Sequence, residues 1–291
     1  MSSLLLDLVI HGLVTGSIYA TVALGLTLTY GVMGILNFAH GELLMVGAYV
    51  AYVLVTGYGV NFLVATLAAM AAVALLAVLI ERTTFRFARN EHLNGLVISL
   101  GLIAILQNLA LARWGADPLS IPPPLPQIVD IFGVTIGLQR IVVFGLTVGL
   151  IGLFMAFLRF TTLGKAIRAT AQSPTVASIL GIRVNRVISL AFAMGAGLAA
   201  LAGALIGTIY NLTPYMGGLP AMKAFVVVIL GGLGSVGGAI IAGFLLGVAE
   251  SLGGGLISSA FKDGFGFAAL IVVLLTRPWG LFGFRPEREE G

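Results

Sequence analysis

Long apolar runs separated by short polar segments dominate the chain. Glu42 is followed by 38 uncharged residues, and Lys223 is followed by 26. A helix that crosses the hydrocarbon core of a bilayer needs about 20 apolar residues. Runs such as AAMAAVALLAVLI do not alternate between apolar and polar positions, as the strands of a membrane barrel would. The pattern therefore predicts an all-α fold, a polytopic transmembrane helical bundle.

Six continuous spans are predicted, with approximate bounds 8–33, 38–56, 62–81, 93–112, 141–159 and 188–211. The last third differs because GGLGSVGG (231–238) interrupts it, and glycine inside a helix costs about 1 kcal/mol relative to alanine. We expect AFVVVIL to form a half-helix that enters the bundle and turns at these glycines, followed by a helix over 239–252. This gives about eight membrane segments in a single domain over 1–291, one of them Gly-broken or re-entrant. The pattern does not assign residues 251–276.

Charge is scarce, since 9% of the residues are Asp, Glu, Lys or Arg, whereas a soluble domain has about 25%. This excludes an ordinary cytosolic enzyme, a disordered chain and a nucleic-acid-binding protein. The chain has no cysteine, which excludes disulfides, thiolate metal sites and a cysteine nucleophile. It also has no GxxxxGK[ST], HExxH or GxSxG motif. We therefore expect no catalytic residue, no metal site and no cofactor bound by this chain.

The basic residues indicate the orientation of the bundle. Eleven of the 15 lie in the segments 82–89, 159–186 and 277–288. The positive-inside rule places these segments in the cytoplasm. The opening residues MSSLLLDLVIHG lack the basic region of a secretory signal, so we expect a retained first span with its N-terminus outside.

The cytoplasmic loop over 161–187 has the pattern of two short helices, of which KAIRATAQ is the first. Ser173 is a suitable N-cap for the second helix, Pro174 suits its first position, and Gly181 suits the position after its end. A loop that only joins two spans does not need two capped helices. We interpret it as a docking element for a cytoplasmic partner. The alternative is an amphipathic segment on anionic lipid, held by the five basic residues of 159–186.

The densest polar group near the membrane is NFAHGE, which contains Asn37, His40, Gly41 and Glu42. An ionisable residue inside a membrane is a functional hypothesis by default, so these residues could form a broken-helix element facing a cavity. The alternative is that His40 and Glu42 cap a helix start near the inner interface. Glu250 is the other ionisable candidate, and we expect it to be interfacial rather than buried.

Small residues predict close helix contacts, because glycines four positions apart let two helix backbones approach. Such pairs are Gly12 with Gly16, Gly203 with Gly207, and Gly243 with Gly247. The glycines of GGLGSVGG have two interpretations, a tight packing turn or part of a solute path.

Four segments, in the same order along nearly the whole chain, resemble the LivH-type permease of bacterial branched-chain amino acid ABC importers. They are GSIYATVALGLTLTYGVMGILNFAHGELLMVGAYVAY, LGKAIRATAQSPTVASILGIRVNRV, VVVILGGLGSVGGAIIAG and RPWGLFG. The resemblance implies a bacterial inner-membrane permease subunit, without enzymatic activity of its own. It also implies a second homologous permease, two cytoplasmic ATPase subunits that use the ATP, and a periplasmic solute-binding protein.

The resemblance further makes 161–187 the segment that couples the permease to an ATPase subunit. Its candidate coupling residues are Gly164, Lys165, Arg168, Ser173, Pro174, Ile179, Leu180 and Gly181. The candidate translocation path comprises Asn37, His40, Gly41, Glu42, Gly231, Gly232, Gly234 and Gly237. Helices around 37–50 and 223–250 are expected to line this path, between the chain and its partner permease.

The expected mechanism is alternating access driven by ATP binding and hydrolysis in the ATPase subunits. The solute could be a branched-chain amino acid, another amino acid, or urea or a short amide. Two other classes of protein stay open on the residues alone. An ion-coupled secondary transporter would need a carboxylate site such as Glu42 or Glu250. A passive channel would not need the capped basic loop.

Overall fold

The computed structural model describes residues 2–88, 92–131 and 134–283, and these ranges are predominantly helical. They form eleven α-helices: α1 Ser2–Met33, α2 His40–Tyr52, α3 Phe62–Thr83, α4 His92–Trp114, α5 Leu138–Phe160, α6 Thr162–Gln172, α7 Pro174–Ile179, α8 Val184–Ile206, α9 Gly218–Gly231, α10 Val236–Leu256 and α11 Lys262–Thr276. A π-helical turn, Val53–Gly57, extends α2. Strands β1 (Ile128–Ile131) and β2 (Val134–Gly137) form an antiparallel hairpin with Ile128 opposite Gly137.

Seven helices of the described chain are long and apolar enough to cross a membrane: α1, α2 with its π-helical turn, α3, α4, α5, α8 and α10. The predicted polytopic bundle is therefore confirmed, and each of the six continuous spans corresponds to one helix. α9 is shorter, with 14 residues and a length of about 21 Å. The unassigned 251–276 contains the end of α10 and the 15-residue α11.

Burial shows which helices form the centre of the bundle. α8 is almost completely buried, and α1 is mostly buried. α3, α4 and α5 are largely exposed, with Leu75, Leu109 and Leu153 on their outer faces. A leucine-rich outer face is what lipid favours, so α1 and α8 form the centre and α3, α4 and α5 the periphery.

The GxxxG motifs lie at close helix contacts, as predicted, and those of α1 and α10 pack on each other. A methyl group on Gly16 would lie 2.9 Å from the carbonyl oxygen of Gly243, and one on Gly247 would lie 2.4 Å from the Cα of Gly16. In the third motif, a methyl group on Gly203 of α8 would collide with the backbone of Leu44 on α2. The close backbone contacts explain why these positions are glycine.

The two ends of the bundle differ in charge. We call one the basic end, because it holds α6, α7 and a groove lined by Arg86, Arg183 and Arg186. We call the other the hairpin end, where the loop after α4 joins the loop after α8 through hydrogen bonds between Leu119 and Leu212. The positive-inside rule makes the basic end cytoplasmic. Three of the basic residues on which the predicted orientation rests, Arg89, Arg285 and Arg288, lie outside the described residues.

Candidate translocation and coupling sites

α2 begins inside the bundle and not at its surface. After α1 the chain turns back at Gly34, where φ is +69°. Glu42 then lies beside Gln107 of α4, and the ring of Tyr49 stacks on Trp114 at 4.5 Å. Gln107 precedes the end of α4 by seven residues, or about 10 Å along the axis. The first turn of α2 is therefore inside the bundle, towards the hairpin end.

Several polar atoms in this first turn are buried without partners. His40 is 1% exposed, and among the described residues neither ring nitrogen has a hydrogen-bond partner of normal geometry, although the Val22 backbone lies close to the ring. Gln107 Nε2 donates to Glu42 Oε1 at 2.9 Å, but Glu42 Oε2 has no partner. Buried polar atoms without partners are rare and costly, which points to a functional reason for keeping them.

The alternative interpretation, in which His40 and Glu42 cap a helix start at the inner interface, is wrong, because neither side chain caps α2. The N-cap of α2 is Ala39, and it makes no side-chain capping bond. Asn37 is also buried, and its side-chain oxygen accepts a hydrogen bond from the Ala39 amide at 3.0 Å. The four NFAHGE residues are thus brought together inside the bundle.

The start of α9 meets the start of α2. A methyl group on Gly41 would lie 2.2 Å from the carbonyl oxygen of Gly217, and one on Gly217 would lie 2.1 Å from that of Gly41. Further along α9, the ring of Phe225 stacks on that of Phe38, just before α2, at 4.7 Å. Two helices therefore begin side by side within the bundle. Interrupted helices are tolerated at such depth only where protein or a cavity satisfies their backbone.

The expected position of the glycine turn is wrong. α9 starts inside the bundle and ends at the glycines, so its interior end is Gly217 and not GGLGSVGG. A methyl group built on Gly31 would lie 4.0 Å from both Gly234 Cα and Ala171 Cβ of α6, which places the turn at the basic end. The half-helix was correctly predicted, but the glycine cluster lies at its cytoplasmic end and not at its interior end.

The individual glycines of that turn differ in their surroundings. Gly231 and Gly238 touch through their backbones, and a methyl group on Gly232, where φ is +97°, would collide with Gly283. A methyl group on Gly234 or Gly237 would meet none of the described residues within 4 Å. The Leu281 amide also donates to the Leu230 carbonyl at 2.7 Å, so the C-terminal segment packs on the turn.

The expectation that Glu250 is interfacial is wrong. Its side chain is completely buried, and its carboxylate is bound by the ammonium of Lys223 and, at 3.1 Å, by the hydroxyl of Tyr19. Lys223 Nζ also lies 3.0 Å from Asp263 Oδ1 and 5.1 Å from the centre of the Phe267 ring. Sequence reasoning missed this network. One signal was available, because Lys223 and Glu250 are the only charges between Arg186 and Lys262.

The two capped helices at the basic end are confirmed as α6 and α7. Ser173 Oγ accepts from the Val176 amide at 3.3 Å, Pro174 is the first residue of α7, and Gly181 has a φ of +84°. In α6, the Thr161 hydroxyl accepts from the Gly164 amide at 3.0 Å. A methyl group on Gly164 would collide with the Phe157 and Leu158 carbonyls, so α6 packs directly on the end of α5.

The other candidate coupling residues lie at the surface. Lys165 and Arg168 are exposed on α6, and Arg168 reaches the Arg159 carbonyl at 3.4 Å. Ile179 and Leu180 are 79% and 73% exposed at the end of α7. Beside α7 lies an open groove of about 940 Å³. Two large apolar side chains at the tip of a basic, structured loop form a surface suited to a protein partner.

No cluster of His, Asp and Glu among residues 2–88, 92–131 and 134–283 could hold a metal ion. The candidate site therefore consists of buried polar groups, interrupted helices and a structured basic loop.

Comparison with known proteins agrees with this geometry. Residues 8–274 match the family described as branched-chain amino acid transport system / permease component. The chain is 37% identical to the high-affinity branched-chain amino acid transport system permease protein LivH of Salmonella typhimurium, over 96% of both chains. It is 36% identical to the corresponding protein BraD of Pseudomonas aeruginosa, over 98% of this chain and 97% of BraD.

A more distant relative is the ribose import permease protein RbsC of Escherichia coli, 28% identical over 79% of this chain and 73% of RbsC. No solved structure matches the chain. The resemblance carried by the NFAHGE and GGLGSVGG segments is confirmed, as is a multi-pass membrane protein. The chain belongs to the family of permease components of branched-chain amino acid transport systems.

Proposed function

We propose that this chain is one permease subunit of an ATP-driven importer in a bacterial inner membrane, and that it translocates branched-chain amino acids. The observation that carries the proposal is the family match over 8–274, together with 36–37% identity to LivH and BraD across nearly the whole chain. A periplasmic binding protein delivers the amino acid at the hairpin end. A second homologous permease completes the membrane unit.

The energy comes from two ATPase subunits on the basic end, because this chain has no nucleotide-binding motif of its own. The exposed Ile179 and Leu180 suit a cleft on an ATPase subunit, with α7 held in position by its caps at Ser173 and Gly181. Closure of the ATPase subunits on ATP then moves α6 and α7 as a unit. No nucleotide or other cofactor is held by this subunit.

The contacts of α6 give a route from the ATPase to the path. Gly31, near the end of α1, lies next to both Ala171 of α6 and Gly234 of the glycine turn. The turn leads into α9, whose other end touches α2 at Gly217 and Gly41. A displacement at α6 is thus transmitted to the interrupted helices, where Asn37, His40 and Glu42 are buried.

Alternating access follows from this arrangement. ATP binding opens the bundle towards the hairpin end, where it accepts the amino acid, and hydrolysis resets it. The path runs between this chain and its partner permease, with α2 and α9 as its walls on this side. Gly231, Gly232, Gly234 and Gly237 act as the hinge of α9 at the basic end.

The direct test is purification of the tagged chain from its native membrane in mild detergent. The expected result is recovery of ATPase subunits and a second permease, with ATP-dependent uptake of radiolabelled leucine after reconstitution. Competition by unlabelled isoleucine, valine, other amino acids, urea and ribose defines the solute. Uptake driven by a proton or sodium gradient without ATPase subunits would identify a secondary transporter instead.

A further inference from the structure

We propose that a cavity at the hairpin end binds the charged backbone of the transported amino acid, with Arg140 and Lys262 receiving its carboxylate and Asp263 its ammonium group. This entrance site lies within one permease subunit. The proposal rests on the proposed function and names the part of the chain that first holds the solute.

The cavity has the size and lining of a small-molecule site. Its volume is about 390 Å³, and such sites measure about 300–1,000 Å³. Its apolar wall includes Val14, Ile18, Ile206, Ile209 and Leu219. Mostly apolar walls with a few charged groups are typical of ligand pockets, and a branched aliphatic side chain is suited to this wall.

The positive side of the cavity has capacity to bind an anion. Arg140 Nη1 lies 2.7 Å from His11 Nδ1, and His11 Nε2 lies 3.2 Å from Asp7 Oδ1. Because arginine can only donate, His11 accepts from Arg140 at Nδ1 and donates to Asp7 from Nε2, which fixes the tautomer of the imidazole. The neutral imidazole uses one of five guanidinium N–H groups, and no other hydrogen-bond partner of Arg140 is seen among the described residues. The other N–H groups can therefore bind a carboxylate.

Lys262 adds a second cation to the same wall. Among the described residues its ammonium has no carboxylate within ion-pair distance, while its stem packs on Gly254. Arginine and lysine that line one cavity repel each other unless an anion lies between them. A carboxylate group, which accepts up to four hydrogen bonds, would satisfy both.

The negative side is Asp263, the neighbour of Lys262 at the start of α11. Its Oδ1 is bound by Lys223 at 3.0 Å, yet the side chain is 54% exposed. The second carboxylate oxygen is thus open to the cavity that Asp263 lines. Arg140 and Lys262 would repel a simple amine bound there. A carboxylate on the same molecule offsets this repulsion by pairing with the two cations. The arrangement therefore selects a zwitterion over a simple amine.

The cavity is also connected to the interrupted helices. Met216 and Pro220, on either side of the start of α9, belong to its wall. Gly217 between them touches Gly41 of α2. Tyr19 lies in the wall as well and donates to Glu250 of the buried network. A solute in the cavity thus contacts the helix that must move for it to pass inward.

The test measures binding of radiolabelled L-leucine to the purified permease–ATPase complex, without binding protein, at equilibrium. Competitors are leucinol and isoamylamine, which lack the carboxylate, and 4-methylpentanoate, which lacks the ammonium group. The variants are Arg140→Gln, Lys262→Gln and Asp263→Asn. Arg113→Gln is the matched control, because Arg113 lies at the same end, over the Trp114 ring and outside the cavity.

The expected result is that wild type prefers leucine to all three analogues. Arg140→Gln and Lys262→Gln should each weaken leucine binding about 10- to 100-fold, the usual loss for a charged hydrogen bond, with much less effect on isoamylamine. Asp263→Asn should weaken leucine and spare 4-methylpentanoate. Lys262→Arg should restore binding, and Arg113→Gln should match wild type.

Unchanged leucine binding in all three cavity variants, in a complex that still takes up leucine, would overturn the site and leave the proposed function intact. Variants that bind leucine normally but lose stimulation by the binding protein would also overturn it, and would make the cavity a protein-docking surface. If the wild-type complex neither binds nor takes up leucine, the proposed function fails, and the site fails with it.

Discussion

The Lys223 ammonium on α9 contacts the Glu250 carboxylate on α10, and neither side chain reaches solvent. Taking two charges out of water is costly, and the cost is offset only if further partners complete the pair. Here Tyr19 binds the carboxylate, while Asp263 and the Phe267 ring contact the ammonium. The network joins α1, α9, α10 and α11, three of which also form the wall of the entrance cavity.

Removing one member of this pair should destabilise the bundle more than removing both. Lys223→Met leaves the Glu250 charge buried, which typically costs about 3–5 kcal/mol. Glu250→Gln should cost less because Lys223 keeps Asp263. The double variant Lys223→Met/Glu250→Gln should recover much of the stability lost in Lys223→Met. Thermal unfolding of the four proteins in detergent gives the coupling energy, and strictly additive losses would refute the pairing.

The α1–α10 contact should be intolerant of any side chain at its closest point. Gly247→Val would push a side chain into Gly16, whose Cα lies 2.4 Å from the added methyl position. Overpacking costs about 1–3 kcal/mol and more where backbone is hit, so membrane-inserted folded protein should fall sharply. Gly149→Val on α5 is the control, because nothing lies within 4 Å there. Equal amounts of both variants would argue against the contact.

The caps of α7 should matter for coupling and not for insertion. Ser173→Ala removes the N-cap, which is worth about 0.5–2 kcal/mol. Gly181→Val forces a branched residue to a φ of +84°, at about 1–2 kcal/mol. Uptake should drop while ATP hydrolysis persists in the assembled complex. Gly59→Val imposes the same strain, at a φ of +63°, in the exposed α2–α3 loop, and should transport normally. Normal uptake by Gly181→Val would remove the reason to call α7 a coupling helix.

Within the glycine turn, neighbouring positions should respond differently. A methyl group on Gly238 would lie 2.1 Å from the Gly231 carbonyl, whereas Gly237 faces open space. Gly238→Ala should therefore reduce both inserted protein and uptake, and Gly237→Ala should leave inserted protein unchanged. In Gly234→Leu, the strain comes from the backbone φ of +82° at this position. It does not come from a steric clash of the new side chain with the described residues. Comparing uptake per inserted molecule separates a hinge defect from a folding defect.

Cysteine labelling tests the orientation, since the chain has no native cysteine. Gln172 at the end of α6 and Gln127 before β1 are both exposed, at opposite ends of the bundle. A cysteine replacing Gln172 should react only from the cytoplasmic side, and one replacing Gln127 only from the periplasm. The reverse pattern would contradict the assignment of the basic end.

The sequence predicts well what depends on local pattern. The spans follow from apolar runs, the α7 caps from Ser173 and Gly181, and the presence of close-packing helix faces from the spacing of the glycines. Each of these signals lies within one segment of chain and has a single physical reading. Asn37, His40, Gly41 and Glu42 lie together in the structure because they are adjacent in sequence, and their role in a solute path stays a prediction.

What the sequence could not give depends on contacts between distant segments. Lys223 and Glu250 are 27 residues apart, and their pairing is set by the path of α9 and α10. The interior start of α9 depends on Gly217 meeting Gly41, whereas the conspicuous glycines lie at the other end of the helix. Arg140 and Asp263 come from α5 and α11, and only the folded bundle brings both to the cavity.

Reconstituted uptake tests the central claim, that this chain is the permease of an ATP-driven amino acid importer. Liposomes would contain the chain, its partner permease and the ATPase subunits, with ATP inside and binding protein outside. Our account predicts that radiolabelled leucine accumulates only when ATP and the binding protein are both present, and that Gly181→Val abolishes accumulation. Leucine accumulation without ATPase subunits, or none from the complete system while another solute is taken up, would contradict it.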